Sequence, residues 1–265
     1  MTPIAINDPG DPRLEPYRDI RERDLAGREG LFIAEGKVVL NVLFAAARFK
    51  PRSVLILENR LAGLAETLTL APPDMPVYVA SRQVMDTVAG FAIHRGILAI
   101  GERRADDDPA ALLDGYAGRS VVVGLIGIAN HDNIGAIFRN AAAFGADAVL
   151  MDETCCDPLY RKAVRVSVGA ALKVPFARCG SAETLVETLQ TAGYGVLALT
   201  PSAKETMSAA KLPDRVALLL GSEGDGLPPE LLKTAAIARI AMREDFDSLN
   251  VATAAAIALH TLFER

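Results

Sequence analysis

The chain has 265 residues, of which 51% are hydrophobic and 23% charged, with no Trp and a formal net charge of −5. This is ordinary globular composition, with enough apolar residues for one large or two modest cores. It excludes a chain that is basic throughout, so any nucleic-acid contact must rest on local basic patches.

Residues 1 to about 30 are proline-rich and charge-dense. Arg13, Arg18, Arg21, Arg23 and Arg28 interleave with Asp11, Glu15, Asp19, Glu22, Asp24 and Glu29. The stretch reads as a solvated helix of mixed charge, with an arginine face against phosphates as the alternative. From Leu31 the pattern alternates: strand LFIAEG, helix KVVLNVLFAAARF, strand SVLILE, helix NRLAGLAETL, strand PVYVAS, helix RQVMDTVAG, strand ILAIGE. This is a small α/β unit of about seventy residues, near the lower limit for an independent domain. Its polar accents are Glu35-Gly36-Lys37 at one strand end and His94-Arg95-Gly96 before the last strand. The polar stretch from Glu102 to Gly118 reads as a linker, with a short helix where Pro109 follows Asp108.

From Arg119 the alternation becomes regular. Strand SVVVGLIGI, loop ANHDN and helix IGAIFRNAAAFG lead to strand AVLMDE and helix YRKAVRVSVGAAL. Strand VPFARC, helix SAETLVETLQTAG and strand GVLALT follow. The last fifty residues hold a buried apolar run, Val216–Leu220, the glycine-rich loop Gly221–Gly226, and a short strand expected at Ala238–Met242. A polar loop and an Ala- and Leu-rich helix, starting after Asp247-Ser248-Leu249-Asn250, close the chain. Strands alternating with helices imply a parallel sheet covered on both faces. Ligands bind such sheets at the carboxyl ends of the strands, where Glu223, Ser248 and Asn250 gather. The expected division is 1–103, a linker 104–118, and 119–265.

Arg139 sits inside an otherwise apolar helix and must find a partner or reach solvent. GSEGDG is neither a Walker loop nor a dinucleotide fingerprint; alone it signals close backbone approach. The basic cluster Arg161-Lys162 with Arg165 spans about one helical turn, with Arg161 and Arg165 on one face. It reads as an RNA-phosphate grip, or else as a solvated helix end. Cys155, Cys156 and Cys179 form no CxxC pair and lack His or Cys at ligand spacing, which argues against zinc or any other metal site. No apolar run approaches a membrane span and no secretory signal is visible, so a cytoplasmic setting without membrane partners is expected.

Three motifs in order carry a specific resemblance: NIGAIFRNAAAFGADAV (Asn133–Val149), LLLGSEGDGL (Leu218–Leu227) and IAMREDFDSLNVATAAAIAL (Ile240–Leu259). The chain resembles the SpoU family of RNA ribose 2′-O-methyltransferases, within the SPOUT superfamily, closely over Ser120–Arg265 and more loosely over Leu31–Gly101. The resemblance implies an α/β fold whose C-terminal parallel-sheet domain is tied in a trefoil knot, preceded by a small α/β substrate-binding domain. It implies S-adenosylmethionine as cofactor, contacted at Thr200, Leu220, Gly221, Ile240, Met242 and Leu249. It implies catalytic positions Arg139, Asn133, Glu223, Ser248 and Asn250, a homodimer with Arg139 crossing the interface, and ribosomal or transfer RNA as substrate. The chain departs from the family where a proline-glycine turn often precedes SLN and here Met242–Asp247 stands, and at Asn140, where Thr is common. A different class, a non-catalytic RNA-binding or ribosome-assembly protein that keeps the fold, is the alternative.

Overall fold

The computed structural model describes residues 2–20, 30–46, 48–243, 245 and 247–265. In chain order the strands are β1 (Ile4–Ile6), β2 (Leu31–Glu35), β3 (Lys50–Leu57), β4 (Val77–Ala80), β5 (Ile97–Glu102), β6 (Ser120–Leu125), β7 (Ala148–Met151), β8 (Phe176–Arg178), β9 (Gly195–Leu199), β10 (Arg215–Leu220) and β11 (Ala236–Ala238). The α-helices are α1 (Lys37–Ala46), α2 (Ala65–Thr69), α3 (Arg82–Ala89), α4 (Pro109–Asp114), α5 (His131–Ala143), α6 (Arg161–Val166), α7 (Ala170–Lys173), α8 (Ala182–Thr191), α9 (Pro229–Thr234) and α10 (Val251–Phe263).

By packing, the chain separates into two compact units: Met1–Arg104 with Asp157–Lys173, and Ala105–Cys156 with Val174–Arg265. The first contains a five-stranded mixed sheet ordered β1-β4-β3-β5-β2. Strands β1, β4 and β3 run parallel, and β5 runs antiparallel to both β3 and β2. Its core gathers Tyr17, Ile20, Leu55, Leu57, Met85 and Leu98. The buried Tyr17 hydroxyl is satisfied by Ser53 Oγ at 2.7 Å.

The N-terminal stretch differs from the expected charged helix. Ile4–Ile6 adds an edge strand to β4, and Pro12–Tyr17 forms a 3-10 helix that buries Leu14 and Tyr17. Prolines at both ends of that segment suit a 3-10 turn better than a regular helix. Arg21, Glu22, Arg23, Asp24, Arg28 and Glu29 lie outside the described residues.

The second unit is a six-stranded, wholly parallel sheet, ordered β11-β9-β10-β6-β7-β8. Its central strands β10 and β6 are near-continuous apolar runs, as burial on both faces requires. Leu150, Leu185, Leu189, Val196 and Leu219 belong to its core. Strand order reverses between β6 and β10, so the loops after β9 and β10 open at one edge.

Two expected elements are corrected. The strand expected at Ala238–Met242 is Ala236–Ala238, because only that short stretch pairs with β9. The single helix expected over Tyr160–Leu172 breaks into α6 and α7 at Val168, which has φ 55°, and Gly169.

Candidate functional site

The site is built at the carboxyl ends of three neighbouring strands. Leu199–Pro201 begins at the last residue of β9, Leu220–Leu227 at the last residue of β10, and Ile240, Met242, Ser248, Leu249 and Asn250 lie between β11 and α10. Together they line one cavity of about 460 Å³. Its walls include Thr200, Leu220, Gly221, Ile240, Met242 and Leu249, and its polar side chains include Glu223, Ser248 and Asn250.

Gly221 shows why the loop needs glycine. A Cβ there would stand 2.4 Å from the carbonyl carbon of Gly226 and 2.5 Å from Leu227 N. The loop closes on itself, with Gly226 N–H donating to Ser222 O at 3.2 Å. Any side chain at Gly221 must therefore displace backbone.

Asn250 joins the pieces. Its Oδ1 accepts from Ala252 N and Thr253 N and caps α10. Its Nδ2 donates to Asn133 Oδ1 at 2.9 Å and to Glu223 Oε1 at 2.7 Å. Both ends of the amide are thus occupied, and its orientation follows from that network. Asn133 is only 6% exposed. It belongs to α5 rather than to the expected loop, because Asn130 caps that helix by accepting from Asp132 N at 2.8 Å. Its place in the first turn, on the buried side, brings it to Asn250.

Arg139 lies on the exposed face of α5 and is not among the cavity-lining residues. The six residues from Asn133 span about 9 Å along the helix. Next to it, Asn140 Nδ2 donates to Ala252 O at 2.8 Å and ties α5 to the first turn of α10. In the loop that departs from the family pattern, Met242 is half-buried and Arg243, Asp245 and Asp247 are exposed. Within it Arg243 Nε donates to Asp245 Oδ1 at 3.0 Å, while Glu244 and Phe246 lie outside the described residues.

The basic cluster lies in the other compact unit. Arg161 Nη2 donates to Glu35 Oε2 at 2.6 Å, and its guanidinium lies over the Phe91 ring, 4.7 Å from the centroid. With side chains 14% and 6% exposed, this is a buried ion pair, a structural use that the clustering of Arg161 with Lys162 and Arg165 did not suggest. Lys162 is exposed and Arg165 half-buried.

Sequence reasoning also missed Asp152. It is buried at the end of β7, and its carboxylate accepts from Gly127 N, Thr154 N, Thr154 Oγ1 and Cys155 N. It fixes the loops after β6 and β7. An acid directly after an apolar strand was its only signal. Cys155 Sγ accepts from Ile128 N at 3.3 Å; burial, then the nearby Asp152 carboxylate, pushes its thiol up to about 12. Burial, with Asp108, does the same at Cys179. Both thiols stay protonated at neutral pH and are poor nucleophiles. Among the described residues no group of three or more His, Cys, Asp and Glu side chains is placed to hold a metal, and no helix is long and apolar enough to cross a membrane.

The comparisons agree with this geometry. Residues 120–260 match the SpoU rRNA Methylase family. An uncharacterised tRNA/rRNA methyltransferase of Mycobacterium tuberculosis (strain H37Rv) is 42% identical over 96% of this chain and 90% of its own length. A 23S rRNA (guanosine-2′-O-)-methyltransferase, RlmB, of Xanthomonas campestris is 30% identical over 69% of this chain and 74% of its own. Among solved structures, an AdoMet-bound rRNA methyltransferase of Sinorhizobium meliloti superposes with a TM-score of 0.84, at 23% identity, over 99% of this chain and 98% of its own. The SpoU methyltransferase AviRb of Streptomyces viridochromogenes, in complex with AdoMet, gives 0.80 at 21% identity over 96% and 97%. The structural likenesses bear on the fold, the sequence matches on descent, and together they place the chain in the SpoU rRNA methylase family.

Proposed function

We propose that the chain is an S-adenosylmethionine-dependent RNA methyltransferase that methylates a ribose 2′-hydroxyl of ribosomal or transfer RNA. The observation that carries this reading is the single cavity in which Thr200, Leu220, Gly221, Ile240, Met242 and Leu249 meet Glu223, Ser248 and Asn250. The relatives' names, one of them a guanosine-2′-O-methyltransferase of 23S rRNA, support it.

The residues fit the cofactor. A cavity of about 460 Å³ is of small-ligand size. Leu220, Leu227, Ile240 and Leu249 offer apolar surface for a purine, and Gly221 brings loop backbone into the cavity wall. When bound, S-adenosylmethionine supplies an electrophilic methyl group on a sulfonium.

The remaining chemistry belongs to the chain. A ribose hydroxyl is a weak nucleophile, so its alignment governs the rate. The Asn133–Asn250–Glu223 network is a pre-set polar rim on which a ribose can be oriented. Ser248 lines the same cavity. Arginine is a cation with a forked set of donors, which suits Arg139 to stabilise negative charge growing on O2′ and to hold the neighbouring phosphate.

Arg139 lies outside the cavity of its own chain, so we assign it to the cavity of a second copy. Exposed Ile257 and Phe263 on α10, 40% and 63% accessible, supply apolar surface for such a homodimer next to α5. The same reading has the C-terminal segment threaded through a loop as a trefoil knot and the reaction taking place in the cytoplasm.

Calorimetry with S-adenosylmethionine tests the cofactor: one site per chain is expected, and no heat would leave only an RNA-binding role. Subunit mixing tests the dimer. Arg139→Ala and Gly221→Val proteins, each inactive alone, should regain activity when mixed, because mixed dimers hold one intact site. No recovery would place Arg139 in its own chain's site or end the dimer reading.

A further inference from the structure

The accents Glu35-Gly36-Lys37 and His94-Arg95-Gly96 have no part in the cavity chemistry, yet the fold brings them together. Strands β2 and β5 are antiparallel neighbours, and Gly36 N–H donates to Ile97 O at 2.9 Å. The turn before β5 is pinned on each side. Ile93 N–H donates to Asp86 Oδ1 at 2.8 Å, Arg82 Nη1 to Ile93 O at 3.3 Å, and Leu57 N–H to Gly96 O at 2.9 Å. Between these anchors His94 and Arg95 are exposed.

Arg95 lies across the backbone of Gly36. A Cβ on Gly36 would come within 2.8 Å of Arg95 Cδ and 3.0 Å of Nη1, and Gly36 has φ 94°. Only glycine leaves both the backbone and the arginine where they are. Lys37, the next residue, is exposed, with Nζ donating to Gly63 O at 2.8 Å. The carboxylate of this stretch, Glu35, faces inward and is neutralised by Arg161, itself backed by Phe91. Arg82, the other cation beside the turn, lies 4.0 Å from Asp86. Among the described residues no ion pair engages Arg95.

We infer that Lys37 and Arg95, with His94 beside them, form a phosphodiester-binding site for the RNA backbone. The inference rests on the RNA-methylating reading and adds the residues by which the N-terminal unit takes its share of the substrate. The turn's backbone is pinned at Ile93 and Gly96, so only the Arg95 side chain has to be ordered when the ligand arrives, which lowers the ordering cost of binding. Burial of Glu35 against Arg161 removes the carboxylate that would oppose phosphate. Arg95 can take two phosphate oxygens in a fork, while Lys37 acts as a point charge. Such contacts position the strand and carry little sequence information.

The test uses a fluorescein-labelled RNA hairpin and the full-length protein, titrated at several salt concentrations. Lys37→Ala/Arg95→Ala should weaken binding by about tenfold and make the salt slope shallower by about 2, one for each phosphate that is no longer neutralised. Arg95→Lys alone should keep the wild-type salt slope but lose part of the affinity, because an ammonium supplies the charge without the fork. S-adenosylmethionine binding, measured calorimetrically on the same samples, should match wild type and shows that the variants are folded. If wild type binds the hairpin and the double variant binds it equally, with the same slope, the site is wrong and the RNA-methylating reading stands. If wild type binds neither the hairpin nor ribosomal RNA, both fall together.

Discussion

Asn250 Nδ2 lies 2.7 Å from Glu223 Oε1, while the other end of the same amide caps α10. One side chain therefore serves both a helix and the polar rim of the cavity, and two substitutions separate the roles. Asn250→Asp keeps an acceptor for the cap but replaces the donor by an oxygen facing Glu223 and Asn133 Oδ1. Its stability should stay within about 1 kcal/mol of wild type, since Asp caps about as well as Asn. Its turnover should fall by about a hundredfold or more, because the rim loses its donor. Asn250→Ala should lose about 1 kcal/mol of stability as well. Urea unfolding beside single-turnover methylation checks this; equal activity in Asn250→Asp would remove the rim from the mechanism.

Gly221→Ala is the smallest change that tests the cavity wall. Its methyl group meets backbone at 2.4–2.5 Å, so the loop from Gly221 to Leu227 must open. S-adenosylmethionine affinity should drop by at least about tenfold, the equivalent of about 1.4 kcal/mol. Calorimetry on protein with an unchanged circular-dichroism spectrum reads this directly.

The Glu35–Arg161 pair should matter more to stability than a surface ion pair. Removing one partner leaves a charge buried, at a cost of about 3–5 kcal/mol. Glu35→Ala or Arg161→Ala should each lower the melting temperature by several degrees. The paired replacement Glu35→Leu/Arg161→Met should recover much of the loss, since no charge is then stranded. Thermal unfolding of the three variants decides it; a double variant less stable than both singles would contradict the buried-pair account.

Alkaline stability should report Cys155 and Cys179. Both thiols are raised to about 12 in the fold, so the unfolded chain loses these protons first. Stability is then complete below about pH 8.5, the usual thiol value, and declines as pH rises towards 12. With both thiols contributing, the slope should approach two protons per molecule, about 3 kcal/mol per pH unit. A Cys155→Ala/Cys179→Ala protein should show a flatter decline in urea unfolding between about pH 9 and 11.

Much of the second unit was legible because its strands are simple. Val216–Leu220 and the run from Val121 to Leu125 are apolar throughout, which only strands buried on both faces require. The position of Asn250 was legible too, as the residue just before an Ala- and Leu-rich helix, although its cap was seen only in the structure. The cavity could be located from motif order but not from side-chain chemistry, since Leu220, Ile240 and Leu249 are ordinary apolar residues and Gly221 contributes backbone. The Glu35–Arg161 pair was illegible because its partners stand 126 residues apart and neither sits in a periodic pattern. The β1 strand was hidden by its length, three residues in a proline-rich stretch. The break between α6 and α7 depends on Val168 taking φ 55°, a conformation that β-branched residues rarely adopt. The motif resemblance supplied what residue patterns lacked, the cofactor and the proposal that Arg139 serves a partner's site.

On this account the cavity directs a methyl group to a ribose oxygen, and a labelling experiment tests that most directly. The purified protein, S-adenosylmethionine labelled in its methyl group, and total ribosomal and transfer RNA from a strain lacking the gene should be incubated and the RNA digested to nucleosides. Mass spectrometry should find the label in one 2′-O-methylated nucleoside, absent when Gly221→Val protein is used. Label in a base-methylated nucleoside, or transfer that survives in the Gly221→Val protein, would contradict the account.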